Sequence, residues 1–493
     1  MTTPATAGPF GARRRAVAPA SLLAVGALMV LVGVAVAASW VALPLFLAAG
    51  AGVLAALAYL ALRHPRATLA TVALLPIADR YLVALLVPAG VRGTTNLLSE
   101  AALVVVAASV GLAAWRRGSP LLALRHPVTW LLGVFVVVAG ASAVVNGVPP
   151  LVAGAGIGFT VDAALLFILP RLAGFGSGAA RVAVLAFGGL ALAAAGLALC
   201  QVVLAADFLG LESFTGRFSE GHRVASFLVN PNMLGAVLAM ATPFAVLAAA
   251  RAGAGRARVA YAGAAFVLML ALLYTFSRGA WLGLGLAMLV VALAVEWRAL
   301  ALLALLAAMA VATALVLPRH VLDPQASDVE FDLGAAIFGR LETLSDGTDL
   351  RLRFIENAAP IVGDHPALGA GPGRYGGAVA WRFGSPLYAE YTAGSVPVQR
   401  TVDNFWLHLV VEVGVLGAAA FVAALAAATW TALRGARRAA GWPRVTMAAA
   451  AAMGVVIAVG SLTEMLLEGN TTSFVAWFFL GAASVLASTR LDR

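Results

Sequence analysis

The sequence predicts an all-α polytopic membrane protein, and three observations predict it. The 493 residues are 62% hydrophobic and 11% charged, with a mean hydropathy of +0.98. That is more apolar surface than a soluble core encloses. The apolar residues fall in runs of about 20, the length a helix needs to cross a bilayer. Finally, the charges alternate between connections. Assigning the connections to two sides in turn places 20 of the 32 arginines on one side, with Glu296 and Asp492. The other 12 arginines share the opposite side and the spans with the remaining 20 acids. There is no lysine. This is the positive-inside pattern. The net charge of +10 therefore sets orientation and meets anionic lipid; the expected partner is the lipid bilayer, and no nucleic acid is expected. One cysteine, Cys200, excludes an intrachain disulfide.

Taken in order, residues 1–18 form a cytoplasmic tail carrying Arg13-Arg14-Arg15. The first apolar run, roughly 19–38, ends in Ala35-Val36-Ala37 and has the ingredients of a cleaved signal peptide. The next span follows almost at once, at about 40–62, which favours a signal anchor. Further spans fall near 67–90 (interrupted by Asp79-Arg80), 97–115, 127–146, 151–173, 179–205, 232–250, 259–276, 280–297 and 299–317. Residues 19–317 thus carry transmembrane helices 1–11 with short loops. A large extracytoplasmic loop occupies 318–402, with seven arginines and ten acids. It is predicted to hold short helices near 333–346 and 350–362, and a rigid turn cluster at Gly369-Ala370-Gly371-Pro372-Gly373. Residues 403–493 carry helices 12–14, near 404–430, 445–463 and 473–489. The total is about 12–14 transmembrane helices, both termini cytoplasmic.

A polar segment this long in so economical a chain is functional or a linker, and it is read as the functional face. There is no phosphate-binding Gly-Lys-Ser/Thr loop, no dinucleotide fingerprint, no Cys/His cluster at metal spacing and no nucleophile elbow. No metal or other cofactor is expected. What remains is arginine on the outer face at membrane depth, which is costly unless paired. Arg223, just before Asn230-Pro231-Asn232, is either a headgroup anchor or a ligand-binding group. Arg278, in the tight Phe276-Ser277-Arg278-Gly279 hairpin, has the same two readings. Helical spacing puts Leu350, Phe354, Ile355, Ala358, Ile361 and Val362 on one face, with Arg351 inside that stripe and Arg353, Glu356 and Asn357 opposite. A charge on a buried face needs a partner or a substrate. Asp403 is either a helix N-cap or a general base, beside Asn404. Glu412 lies about two turns deeper, and His365 and His408 are further proton-transfer candidates. Arginines converging on an outer site imply a diphosphate or polyanionic ligand. A nearby carboxylate or imidazole suggests group transfer from a lipid-linked diphosphate. A transporter or flippase for an anionic lipid or solute is the alternative.

Four stretches make the chain resemble the O-antigen ligase family, which includes Wzy-type polysaccharide polymerases. They are Arg223 through Asn230-Pro231-Asn232; Tyr274-Thr275-Phe276-Ser277-Arg278-Gly279-Ala280-Trp281; Arg340-Leu341 through Arg351 to Asp364-His365-Pro366 and Gly369-Ala370-Gly371-Pro372-Gly373; and Asp403-Asn404 through Glu412-Val413-Gly414 and Gly417. The resemblance implies a metal-independent, inverting glycosyltransferase at the outer face of the cytoplasmic membrane. Its donor would be a glycan on undecaprenyl or decaprenyl diphosphate, and its acceptor a glycan or glycolipid hydroxyl. Arg223 and Arg351, with Arg278, correspond to arginines that grip the diphosphate. Asp403-Asn404 stands where the family's ligases usually carry His-Asn, that His being their base. An ordinary aspartate, with a pKa of about 3.9, is a weaker base unless desolvated.

Overall fold

The computed structural model describes residues 43–77, 92–118, 125–204, 223–228, 230–316, 350–391, 402–468 and 470–488, and among them no strand occurs. The predicted first span, the end of the span near 67–90 and the loop helix near 333–346 lie outside the described residues.

Seventeen described α-helices follow in chain order. The N-terminal group is α1 (Leu43–Arg63), α2 (Pro65–Leu74), α3 (Arg92–Arg116), α4 (Pro127–Val145), α5 (Pro150–Val161), α6 (Leu165–Leu172) and α7 (Ser177–Leu204). The middle group is α8 (Pro231–Arg251), α9 (Arg256–Tyr274), α10 (Arg278–Ala294) and α11 (Trp297–Val316). The outer segment carries α12 (Leu350–Asp364), α13 (Ala378–Phe383) and α14 (Leu387–Glu390), and the chain returns as α15 (Phe405–Arg438), α16 (Gly441–Gly460) and α17 (Asn470–Ser488). Among the described residues, eight helices are long and apolar enough to cross a membrane, or nine if the bent pair α5–α6 counts as one span. The protein is an all-α, multi-pass membrane protein.

Burial sorts the helices by position. In α8 and in the Thr471–Ser488 part of α17, 89% of the most apolar window is buried, against 33% in α4 and 28% in α11. Two helices enclosed on all sides are thus ringed by helices that keep one face for lipid. The central contacts are aromatic: Phe167 and Phe421 each meet the Trp477 ring edge-on, at 6.2 and 6.0 Å. Phe187, Phe244 and Phe479 form a second group with centroids 5.2 to 6.2 Å apart. Small residues let backbones approach, as the run Ala448–Ala452 on α16 is wholly buried.

Two spans that the sequence reads as continuous are broken. Between α5 and α6 the axis bends by 59°. At Asp162–Ala164 the hydrogen bonds shorten to three residues, from Leu165 N–H to Asp162 O and from Leu166 N–H to Ala163 O. The Asp162 carboxylate takes the Ala163 N–H at 2.5 Å. A helix that tightens and recruits a side chain in this way kinks. The second break lies inside α15, at Gly414 (φ 66°, ψ −177°), a conformation open essentially only to glycine. It severs the bonds that residues 415 and 416 would make to Val411 and Glu412. The outer segment replaces them: Val415 and Leu416 donate to Pro366 and Ala367, while Ala370 and Gly371 donate to Val411 and Glu412. Asn146 of the α4 terminus donates its amide to Gly369 O at 2.9 Å and braces the stitch.

The bundle has two chemically distinct ends. At one, Arg66 donates to Ala173 O, Arg117 to Leu172 O, Arg437 to Ala294 O and Arg444 to Val295 O. Arg251 pairs with Glu296 at 2.8 Å. These are the arginines that the sequence assigns to one side. At the other end lie the α8, α10 and α15 N-termini and the outer helices.

Candidate functional site

At that second end, α8 begins with Asn230, whose side chain accepts the N–H of Asn232 (2.7 Å) and of Met233 (3.3 Å). This cap, with Pro231 in the first turn, fixes where Asn232 projects. The Asn232 amide carbonyl accepts from Arg223 Nη2 at 2.5 Å, and its NH2 donates to Glu464 Oε2 at 2.6 Å. Arg223 Nε donates to Thr275 O at 2.8 Å, and Val224 N–H to Tyr274 O. Those carbonyls are left without intrahelical partners because α9 ends at Tyr274 and Phe276 turns the chain with φ 48°. A guanidinium suits a helix C-terminus, where orphan carbonyls and the helix dipole attract cations. Arg223 is half-buried and tied to protein atoms.

Arg278, also half-buried, opens α10 two residues beyond Phe276. Gly279 abuts Thr463, next to Glu464, and Gly235 of α8 abuts the Ser277 side chain. Arg223 and Asn232, Arg278, and Glu464, drawn from three parts of the chain, therefore meet at one corner.

Asp403 lies alongside. Phe405 N–H donates to Ser461 O at 2.9 Å, and Val402 N–H to Gly376 O at 3.1 Å, so the backbone is pinned on both sides of half-buried Asp403. The cap of α15 is Asn404, which accepts the Leu407 N–H at 3.0 Å. This corrects the reading of Asp403 as an N-cap. Two adjacent capping residues compete, and the helix starts one residue later than expected.

One and two turns into α15, His408 and Glu412 are each buried to 3% exposure. The Glu412 carboxylate accepts the N–H of Gly373 and of Tyr375, each at 2.8 Å, and its Oε2 lies 3.7 Å from His408 Nε2. His408 Nδ1 pairs with Tyr375 O. Glu412 holds the glycine-rich loop over the helix, and an acid at this depth is tolerated because both oxygens are satisfied. The loop then passes Glu468, whose Oε1 accepts Ala378 N–H at 3.1 Å. Gly377 lies so close that a Cβ there would meet Glu468 Oε1 at 2.6 Å and the His408 ring at 3.0 Å. The Tyr375 hydroxyl donates to Phe354 O at 3.3 Å; burial, then neighbouring Tyr388, holds its pKa above the ordinary phenol value.

Helix α12 packs on α15 through Phe354, Ala358 and Ile361, which cluster with Tyr375 and Val411. Arg353 and Glu356 face out as expected, but Ile355 is 51% exposed. The buried stripe is narrower than the predicted one and follows i, i+4, i+7. Arg351 occupies the register that continues it toward the N-terminus, and its side chain lies outside the described residues. His365 sits 14 residues away at the other end of α12, about 21 Å along the axis. The structure thus gathers Arg223, Arg278, Asp403 and Asn404 and sets Glu412 beneath the loop beside them. Sequence reasoning missed Glu464 and Glu468, two acids four residues apart in a short outer connection, and the bridging role of Asn232. The signal available was an acid pair beside a span end, where carboxylates are costly.

Fold and corner define a class: a multi-pass helical membrane protein with an arginine–carboxylate cluster beside a broken span and an outer loop. Residues 263–422, 160 of the 493, match the family model described as O-antigen ligase. The matched stretch contains Arg278, Arg351, Asp403 and Glu412; Arg223 precedes it. The match supports an O-antigen ligase-type family and, in general terms, a glycosyl-transferring enzyme of the ligase or polymerase kind. No curated protein matches the chain.

Proposed function

We propose that this protein moves a glycan from a polyprenyl-diphosphate carrier to an acceptor sugar hydroxyl at the extracytoplasmic face of the cytoplasmic membrane, as a ligase or a polymerase. The observation that carries the reading is the meeting of Arg223 and Arg278 at one bundle end, with Asp403 across the Ser461–Glu464 segment. Guanidinium forks match diphosphate oxygens, and Asn232 and Thr275 O orient the Arg223 fork. Arg351 supplies a third fork from α12. The termini and the arginine-rich end are then cytoplasmic.

In this reading Asp403 removes the acceptor hydroxyl proton as its oxygen bonds to the anomeric carbon. The bond from that carbon to the diphosphate oxygen breaks, and the electron pair leaves on the diphosphate, where the arginines compensate the growing charge. One displacement inverts the anomeric centre and needs no metal. Asn404 orients Asp403 by capping α15, Glu412 positions the loop, and His365 contributes at the margin of the acceptor.

Purified protein in vesicles, given a synthetic polyprenyl-diphosphate oligosaccharide and a sugar acceptor, should form an inverted glycosidic bond with chelator present. Movement of the carrier across the bilayer without a new bond would establish the transporter reading instead.

A further inference from the structure

The end of the bundle opposite the candidate site carries a cationic pocket that the transfer reading does not use. Helix α6 stops at Leu172, and Gly174 (φ 62°) turns the chain away. The Gly174 and Phe175 N–H groups fold back onto Arg171 O and Pro170 O. The Leu172 and Ala173 carbonyls are taken instead by arginines from two other helices. Arg117, just past the end of α3, donates Nη2 to Leu172 O at 2.8 Å, and Arg66, in the first turn of α2, donates Nε to Ala173 O at 3.3 Å. Consecutive carbonyls set the two guanidinium groups side by side. Exposed Gly174 lies against them without a side chain; a Cβ there would stand 3.5 Å from Arg66 Nη2. Arg171, on the same turn, adds a third positive charge, its fork held on Ser484 of α17.

Among the described residues, no carboxylate pairs with Arg66, Arg117 or Arg171. Of the five N–H groups on a guanidinium, Arg66 spends one, and Arg117 spends two, on Ala113 O and Leu172 O. The others meet no protein acceptor among the described residues. Like charges held together in this way call for an anion, and paired arginine forks fit phosphate oxygens. Depth says which phosphate. Trp115, two residues before Arg117, is 68% exposed, and Tyr59, 58% exposed, lies under the Arg63 guanidinium at 5.8 Å. Exposed aromatic rings at span ends mark the headgroup layer, so Arg66 and Arg117 stand at that depth. We propose that the junction of α2, α3 and α6 binds the phosphodiester of one anionic glycerophospholipid, in the leaflet opposite the candidate site. Basic pockets between helix ends suit such headgroups. A zwitterionic headgroup fits less well, because it brings an ammonium into a cluster that already has no paired acid. The bound lipid ties α2 and α3 to the kinked α5–α6 pair.

The test titrates full-length protein in detergent with phosphatidylglycerol and with phosphatidylcholine, counting bound lipid by native mass spectrometry. One phosphatidylglycerol should bind at least tenfold more tightly than phosphatidylcholine. Arg66→Gln with Arg117→Gln should lower that affinity at least tenfold. Arg63→Gln with Arg116→Gln, which removes the same charge from exposed positions at the same end, should change it less than twofold. Equal loss in the two double variants would mean diffuse attraction to a basic surface and overturns the site, as does equal affinity for the two lipids. Inorganic phosphate that binds as tightly as phosphatidylglycerol overturns the lipid assignment in favour of a soluble anion. Because Arg66 and Arg117 also cap α6, a wild-type measurement stands beside the variants. Phosphatidylglycerol with a photoreactive headgroup should label peptides holding Arg66, Arg117 or Gly174; labelling absent from all three overturns the proposal whether or not the variants fold.

Discussion

Replacing Glu412 by Gln gives a prediction that separates a loop anchor from a substrate ligand. Each carboxylate oxygen accepts one loop N–H, from Gly373 and from Tyr375. The amide keeps one acceptor and turns an NH2 toward the other donor. A hydrogen bond to a charged acceptor is worth about 1.5–3 kcal/mol, and the surviving bond to a neutral oxygen is weaker by about 1 kcal/mol. The loop should therefore loosen by about 2.5–4 kcal/mol, which at 1.4 kcal/mol per tenfold is roughly a 60- to 700-fold rise in local opening. Hydrogen exchange followed by mass spectrometry reads this directly. Peptides covering 369–378 should exchange faster by that factor, while α8, buried on all sides, stays unchanged. Loop exchange within twofold of wild type, with transfer lost, would mean that Glu412 acts on substrate. Acceleration spread evenly over the bundle would refute the idea of a local stitch.

Gly414→Ala should lower the thermal midpoint, because its backbone region costs other residues about 1–3 kcal/mol and its Cβ would fall on the Ala367 carbonyl. Asn404→Ala should cost about 1 kcal/mol in unfolding experiments by removing the cap of α15, and Asn404→Asp should restore it. Asp403→Asn should leave the midpoint unchanged and lower transfer by about 10²–10⁴-fold, the usual worth of a general base; retained activity would remove Asp403 from the chemistry. Arg223→Lys should raise the KM for the diphosphate donor at least tenfold, since a lysine cannot bridge Thr275 O and Asn232 as a fork does.

The membrane fold was legible because hydropathy and arginine placement are set by the bilayer, whatever the packing. Arg223 and Arg278 stood out for the same reason: a cation at membrane depth is expensive, so its presence signals a partner. The break at Gly414 was not legible, because one glycine among 51 in an apolar run carries no mark of its backbone angles. Those angles are imposed by the segment 366–371 packed against it. The shift of the cap from Asp403 to Asn404 turns on the Ser461 carbonyl, which holds Phe405 N–H from 56 residues away. Ile355 was misplaced because α12 touches its neighbour along a narrow seam, and periodicity reports the apolar arc, not the width of the contact. Glu464 and Glu468 gain meaning from Asn232 and Ala378, which no local pattern pairs with them.

The stitching of residues 366–371 into α15 has a mechanical consequence. Main-chain bonds running in both directions make the outer segment and the membrane helix one girder. The segment cannot swing as a hinged flap without unzipping the helix beneath it. On the function proposed above, substrates then reach the corner sideways along the bilayer or through neighbouring loops. A chimera that exchanges the outer segment between relatives should keep its shape only when residues 402–417 travel with it.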